Sequence, residues 1–158
     1  MQESVSSGQK RLEAYVDRTL KENNMEQKDS INGMMQARKV SCSFEEKSVT
    51  FGFPVRRWQV NRVGQLHGGM ICTAFDFTIA FLARFYAGKN FTPTVSLDVK
   101  YIRPVEVGDV MLVKAKVTSE GKRITQLVCE AVSQNTGKLV ATGASVYMNV
   151  DTVEERQI

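Results

Sequence analysis

From Met70 to Tyr86 the only polar residues are Thr73, Asp76, Thr78 and Arg84. No proline or internal glycine interrupts the run, and Gly88 follows where a helix C-terminus favours a residue without Cβ. The run is too long for one strand, and too short and too interrupted for a membrane span. It predicts a helix that is apolar nearly all round, and such a helix has to be buried. Most of the remaining chain must therefore wrap it.

The flanking sequence supplies strands for that purpose. Arg38 to Glu45 alternates with Val40, Cys42 and Phe44 on one face, and Ser48 to Pro54 with Val49, Phe51 and Phe53; Glu46-Lys47 between them predicts a hairpin. Residues 55–66 form a connection rich in arginine (Arg56, Arg57, Arg62), with Trp58 as a packing residue. After the helix, Val95, Leu97, Val99 and Tyr101 share one strand face, while Thr94, Ser96, Asp98 and Lys100 share the other. Three further alternating segments follow: Met111 to Val117, Ile124 to Ser133 and Leu139 to Val150. Turn sequences at 105–109, 119–122 and 135–138 separate them, so the last four strands read as an antiparallel meander. One buried helix and six strands make an α+β domain, with a strongly curved sheet around the helix.

That domain spans 38–150. Residues 1–37 form a helical extension packed on its outside: Leu12, Tyr15, Val16, Thr19 and Leu20 follow helical spacing, and Asn23-Asn24 ends the helix. Asp29-Ser30 caps a short second helix, residues 1–8 are loose, and residues 151–158 form a charged tail.

Composition narrows the function classes. A net charge of +4 in 158 residues is mild. It suits an anionic ligand as well as nucleic acid, and no compact DNA-binding helical pattern is visible. The one histidine and the scattered Cys42, Cys72 and Cys129 provide no metal-ligand spacing, so no metal or cofactor is expected. The odd cysteine count and the lack of an apolar leader point to a reduced, cytoplasmic protein without membrane attachment.

A carboxylate inside an apolar helix requires a partner. At 100° per residue Asp76 shares a side with Thr73, Ala80, Ala83 and Arg84, a stripe small enough to admit another element. At the helix start, Gly68 and Gly69 allow a ligand close to the backbone. The first amides of a helix lack partners and suit an anion or a developing oxyanion. Asn61 and His67 add donors nearby. Eight residues separate Gly68 from Asp76, roughly 12 Å of helix. Two antiparallel copies would bring one copy's helix start to the other's Asp76, which predicts a site shared by two subunits.

The motif Asn61-x-x-Gly-x-Leu-His-Gly-Gly69, with Asp76 nine residues after His67, resembles the hotdog-fold acyl-CoA thioesterases of the PaaI type. Segments 94–104, 108–109, 121–122 and 136–143 are similar to that family too, and the likeness covers about 40–150. The resemblance implies a hotdog fold that pairs as a dimer or tetramer. It implies hydrolysis of an acyl-CoA to coenzyme A and a carboxylic acid, with Asp76 as base or nucleophile. Gly68 and Asn61 would hold the thioester carbonyl, His67 would orient the loop, and Ser96 would lie near the attacking water. Gly69, Arg103, Lys122 and Arg123 are candidate substrate contacts, with Arg56 and Arg57 as weaker ones. A non-catalytic acyl-CoA-binding regulator on the same fold is the alternative.

Overall fold

The computed structural model describes residues 4–151. Helix α1 runs Val5–Lys21, capped by the Ser4 hydroxyl on the Ser7 amide. It therefore begins inside the segment expected to be loose. Nor does Asn23-Asn24 simply end it: a π-helical turn, Glu22–Glu26, continues the chain. The Asn24 side chain then donates to the Ala37 carbonyl, tying this turn to the start of the sheet. Helix α2, Ile31–Met34, is a single turn capped by Ser30, as expected.

The strands are β1 (Arg38–Ser43), β2 (Ser48–Pro54), β3 (Thr94–Tyr101), β4 (Val110–Glu120), β5 (Ile124–Ser133) and β6 (Leu139–Met148). The apolar run forms one helix, α3, Gly68–Ala87. One antiparallel sheet holds all six strands in the order β1-β2-β4-β5-β6-β3. Strands β2 to β6 all touch α3, and a sheet can meet one helix with five strands only by curling around it. Phe75, Ile79 and Leu82 are fully enclosed. Gly143 on β6 admits the Phe75 ring, since a Cβ there would stand 2.8 Å from it.

The four-strand meander is corrected. Only β4, β5 and β6 follow one another; β3 pairs with β6 and forms the sheet's outer edge. The reason lies in the link from β3 to β4. Val105 is drawn inward, and its carbonyl accepts the Leu66 amide at 2.9 Å, so the chain crosses beneath the start of α3 instead of reversing. Strand β2 then takes the free side of β4. Two register shifts also break the expected alternation. One lies at Val40, which is exposed although Cys42 and Phe44 pack inward; the other lies between Thr94 and Ser96. Trp58, expected to pack, is exposed on the 3-10 turn Arg57–Gln59.

Helix α1 does pack on the domain. Leu12, Val16 and Leu20 are buried, and Tyr15 meets Phe81 at 4.7 Å between ring centres. Phe51 of β2 meets the same ring from the sheet at 4.9 Å. Phe81 is thus clamped between α1 and the sheet. Burying a side chain of this size is worth about 1.5–3 kcal/mol. Ala80 and Ala83 are enclosed within this one chain. The small residues along that part of α3 therefore receive the chain's own N-terminal segment.

Candidate active site

The structure gathers the sequence-predicted residues into two groups, one toward each end of the sheet. The first surrounds Asp76, half-buried in the middle of α3. Its Oδ1 accepts hydrogen bonds from Tyr147 Oη at 2.8 Å and Thr94 Oγ1 at 3.1 Å. Tyr147 is 1% exposed on β6, and burial pushes its phenol well above the usual range, so it remains a protonated donor. Thr94 reaches α3 because of the register shift that follows it, a β-bulge that re-aims the end of β3. Among the described residues Oδ2 has no partner. The carboxylate is held by one oxygen and open at the other.

The second group surrounds the start of α3. Four amides at a helix start lack intrahelical acceptors. Here the His67 amide donates to the Gln59 carbonyl at 2.9 Å, the Met70 amide to the His67 carbonyl at 2.8 Å, and the Gly69 amide to His67 Nδ1 at 2.9 Å. An accepting Nδ1 carries no proton, which leaves the ring proton on Nε2. His67 therefore acts as a cap that holds the loop. It also explains Gly69, where a Cβ would stand 3.0 Å from that ring nitrogen. The Gly69 amide is thus already engaged within the chain. Among the described residues, Gly68 retains the one amide of the four without an acceptor. Behind it, Tyr101 Oη donates to the Gly68 carbonyl at 3.2 Å and lies 2.9 Å from Cys72 Sγ. The Cys72 contact, aided by burial, pushes the Tyr101 phenol up to about 12.

Asn61 belongs to this second group. Its Oδ1 accepts the Val63 and Gln65 amides at 3.0 and 3.2 Å, closing the turn that leads to His67. With both lone pairs of that oxygen engaged, Nδ2 is the donor left to face a ligand.

The remaining predicted residues divide between the same two ends. Ser96 is exposed, its carbonyl accepts Ser145 Oγ at 2.5 Å, and its hydroxyl is not among the partners of Asp76. Arg103 Nη1 donates to the Leu139 carbonyl at 2.9 Å, at the start of β6. Lys122 and Arg123 line an open groove of about 570 Å³ with Met148 and Asn149, at the other end of β6. The length of β6, roughly 30 Å at 3.4 Å per residue, separates Arg103 from that pair. Within one chain they cannot grip the same phosphate. Lys122 and Arg123 share the end that holds Tyr147 and Asp76, while Arg103 shares the end that holds Gly68.

Tyr147, Thr94 and Tyr101 escaped sequence reasoning. Tyr147 continues the inward parity of Ala141 and Ser145, so a hydroxyl on a buried strand face was the available signal. Thr94 had none, because one extra residue in β3 reverses its side.

Residues 63–140, which include all of α3, match the family model described as "Thioesterase superfamily". Over that region the chain is similar to the thioesterase superfamily. Acyl-coenzyme A thioesterase 13 of Mus musculus is 30% identical over 91 residues, a match covering 56% of this chain and 64% of the mouse protein. The curated relatives are thus matched over 53–64% of their length. The fold is the hotdog fold of the E. coli PaaI protein, from the phenylacetic acid degradation operon. Their TM-score is 0.76 at 17% identity, covering 91% of this chain and 96% of PaaI. A Streptococcus mutans protein solved with acetyl CoA has a TM-score of 0.65 at 18% identity, over 73% of this chain and 89% of its own. The region of the chain that matches the thioesterase model contains Gly68, Asp76 and Ser96. It leaves out Asn61, Tyr147 and the whole N-terminal segment.

Proposed function

We propose that this chain hydrolyses an acyl-CoA thioester to coenzyme A and a free carboxylic acid, at sites each assembled from two copies. One observation carries the reading. Among the described residues, a single helix holds an amide without an acceptor at Gly68 and a carboxylate oxygen without a partner on Asp76, roughly 12 Å apart. Neither group completes a site alone, and each has what the other lacks.

The edge strand supplies a route for joining them. Strand β3 begins beside Asp76, through Thr94, and ends beside Gly68, through Tyr101. Its outer edge is unpaired among the described residues. If two copies pair antiparallel along β3, one copy's Thr94 approaches the other's Tyr101, and Asp76 approaches the partner's helix start. Such an edge is also a liability unless something covers it.

In that geometry the thioester carbonyl oxygen sits on the Gly68 amide and Asn61 Nδ2. Asp76 Oδ2 takes a proton from water, or itself attacks the carbonyl carbon. The tetrahedral oxyanion gains most from the fixed donors, each typically worth ~2.7–4 kcal/mol of barrier. Collapse breaks the C–S bond. On the base route the departing thiolate takes up the proton that Asp76 removed from water; on the nucleophilic route collapse leaves an acyl anhydride on Asp76, and water then cleaves it to the free acid and the restored carboxylate, its released proton going to the thiolate. Hydrolysis is expected without added metal and in the presence of chelator.

Subunit mixing tests the shared site. Asp76→Asn and Asn61→Ala proteins, each inactive alone, are dissociated and reassociated together, and thiol release is followed. Mixed dimers contain one intact site and regain activity. Exchange without recovery would disprove sharing, and acyl-CoA binding with no turnover by the unmodified protein would favour the regulator.

A further inference from the structure

We propose that the acyl pocket lies between α3 and the N-terminal segment, and that it selects acyl groups ending in a carboxylate, held by Arg84. This rests on the thioesterase reading above and adds the substrate class.

Asp76 opens onto a cavity of about 60 Å³ whose walls include Thr19, Asn23 and Asn32 from the N-terminal segment and Arg84 from α3. Tyr15 and Arg84 also line a second, larger cavity of about 350 Å³, together with Arg11, Arg18 and Phe85. The two cavities therefore adjoin. They form a passage from the carboxylate of Asp76 toward the C-terminal end of α3, walled on one side by residues outside the family match. Its described lining contains no carboxylate other than Asp76 itself.

Charge in the passage runs one way. Asp76 stands at the head and three guanidinium groups stand beyond it. Arg11 lies over the Phe85 ring at 4.2 Å and Arg18 near the Tyr15 ring at 5.7 Å, so stacking orients both. Arg18 also meets Glu22 at 3.8 Å, an exposed pair of little strength. Arg84, in the last turn of α3, is favourable there through the helix dipole. The dipole accounts for a cation at the helix end, yet it does not account for two more on α1 facing the same space.

Length follows from the helix. Asp76 and Arg84 are eight residues apart, roughly 12 Å along the axis. An arginine side chain leans back toward the helix N-terminus and covers about half of that. The remainder, roughly 6 Å, suits a chain of about four to six carbons between the thioester and the terminal carboxylate. Arginine binds a carboxylate bidentately, and the placement keeps the terminal charge away from Asp76.

The test compares CoA thioesters matched in length, adipoyl against hexanoyl and suberoyl against octanoyl. Thiol release by the wild type is measured, together with calorimetric binding to the Asp76→Asn protein. The expected result is roughly tenfold higher kcat/KM and tighter binding for the carboxylate-ended member of each pair. Arg84→Met should bring each ratio to within about threefold, mainly through KM, with Arg84→Lys intermediate. Arg18→Met, on the exposed face of α1, provides a second variant should the first fold poorly, and it too should shrink the ratio. Equal handling of both members in the wild type overturns the pocket and leaves the thioesterase reading intact. Equal loss on both members in Arg84→Met also overturns it, and moves that arginine's contact to the coenzyme A moiety. If no thioester is bound or hydrolysed, the thioesterase reading falls and the pocket with it.

Discussion

Asp76 and Asp109 are both aspartates drawn inward from a surface of ordinary charge, and they are satisfied in opposite ways. Asp109 sits 6% exposed at the head of β4. Its Oδ1 accepts the Val110 and Asn135 amides at 2.6 and 3.1 Å, and its Oδ2 accepts Ser133 Oγ at 2.5 Å. Both oxygens are consumed in fastening the turn before β4 to the turn after β5. Asp76 uses one oxygen and keeps the other open. Burial alone therefore does not mark a reactive carboxylate. What separates the two is whether the chain itself uses up the lone pairs.

The contrast can be broken most directly at Asp76. Asp76→Asn preserves the shape and the Oδ1 acceptor for Tyr147 and Thr94, so melting should move by no more than a few degrees. Thiol release should fall about 10²–10⁴-fold, the usual scale for loss of a general base. Activity retained within tenfold would return Asp76 to the same class as Asp109.

The reverse pattern is expected for Asp109→Ala. Two amides and a buried hydroxyl lose their acceptor, which should cost about 3 kcal/mol, or about 9 °C in Tm for a chain of this size. Thermal melting with parallel kinetics checks it: a large drop in kcat at a temperature where the variant is fully folded would contradict the assignment.

The smallest effect sharpens the comparison within the site. Tyr147→Phe removes one of the two donors that hold Asp76 Oδ1 and leaves the packing in place. Turnover should fall about tenfold, roughly 1.4 kcal/mol, since the carboxylate keeps Thr94 and its open oxygen. The same change should lower stability by about 1 kcal/mol. A loss as complete as that of Asp76→Asn would mean that Tyr147 itself takes part in the chemistry.

Much of this was legible in the residues. The helix over Gly68–Ala87 followed from its apolar run, and each strand from its period of two. The special status of Asp76 and Gly68 followed from a charge and a glycine pair placed where the helix tolerates neither without cause. Two things were not legible. The position of β3 depended on Val105 being pulled beneath the start of α3, a contact between distant segments that no local pattern reports. The hydrogen bonds to Asp76 depended on one extra residue after Thr94, and a bulge changes strand parity without changing strand composition. Alternation therefore located the strand and put Thr94 on the wrong side.

The His67 cap has a consequence for what happens once the thioester is cut. A carboxylate product offers two oxygens and is held best by two donors on one plane. At the helix start it meets one free amide, because the imidazole has already taken the amide of Gly69. In the proposed two-copy site, the Asp76 carboxylate faces it from the other side and offers it no donor. The ring that steadies the loop thus also withholds the second hand that would retain the acid, and the site is built to let go of what it makes.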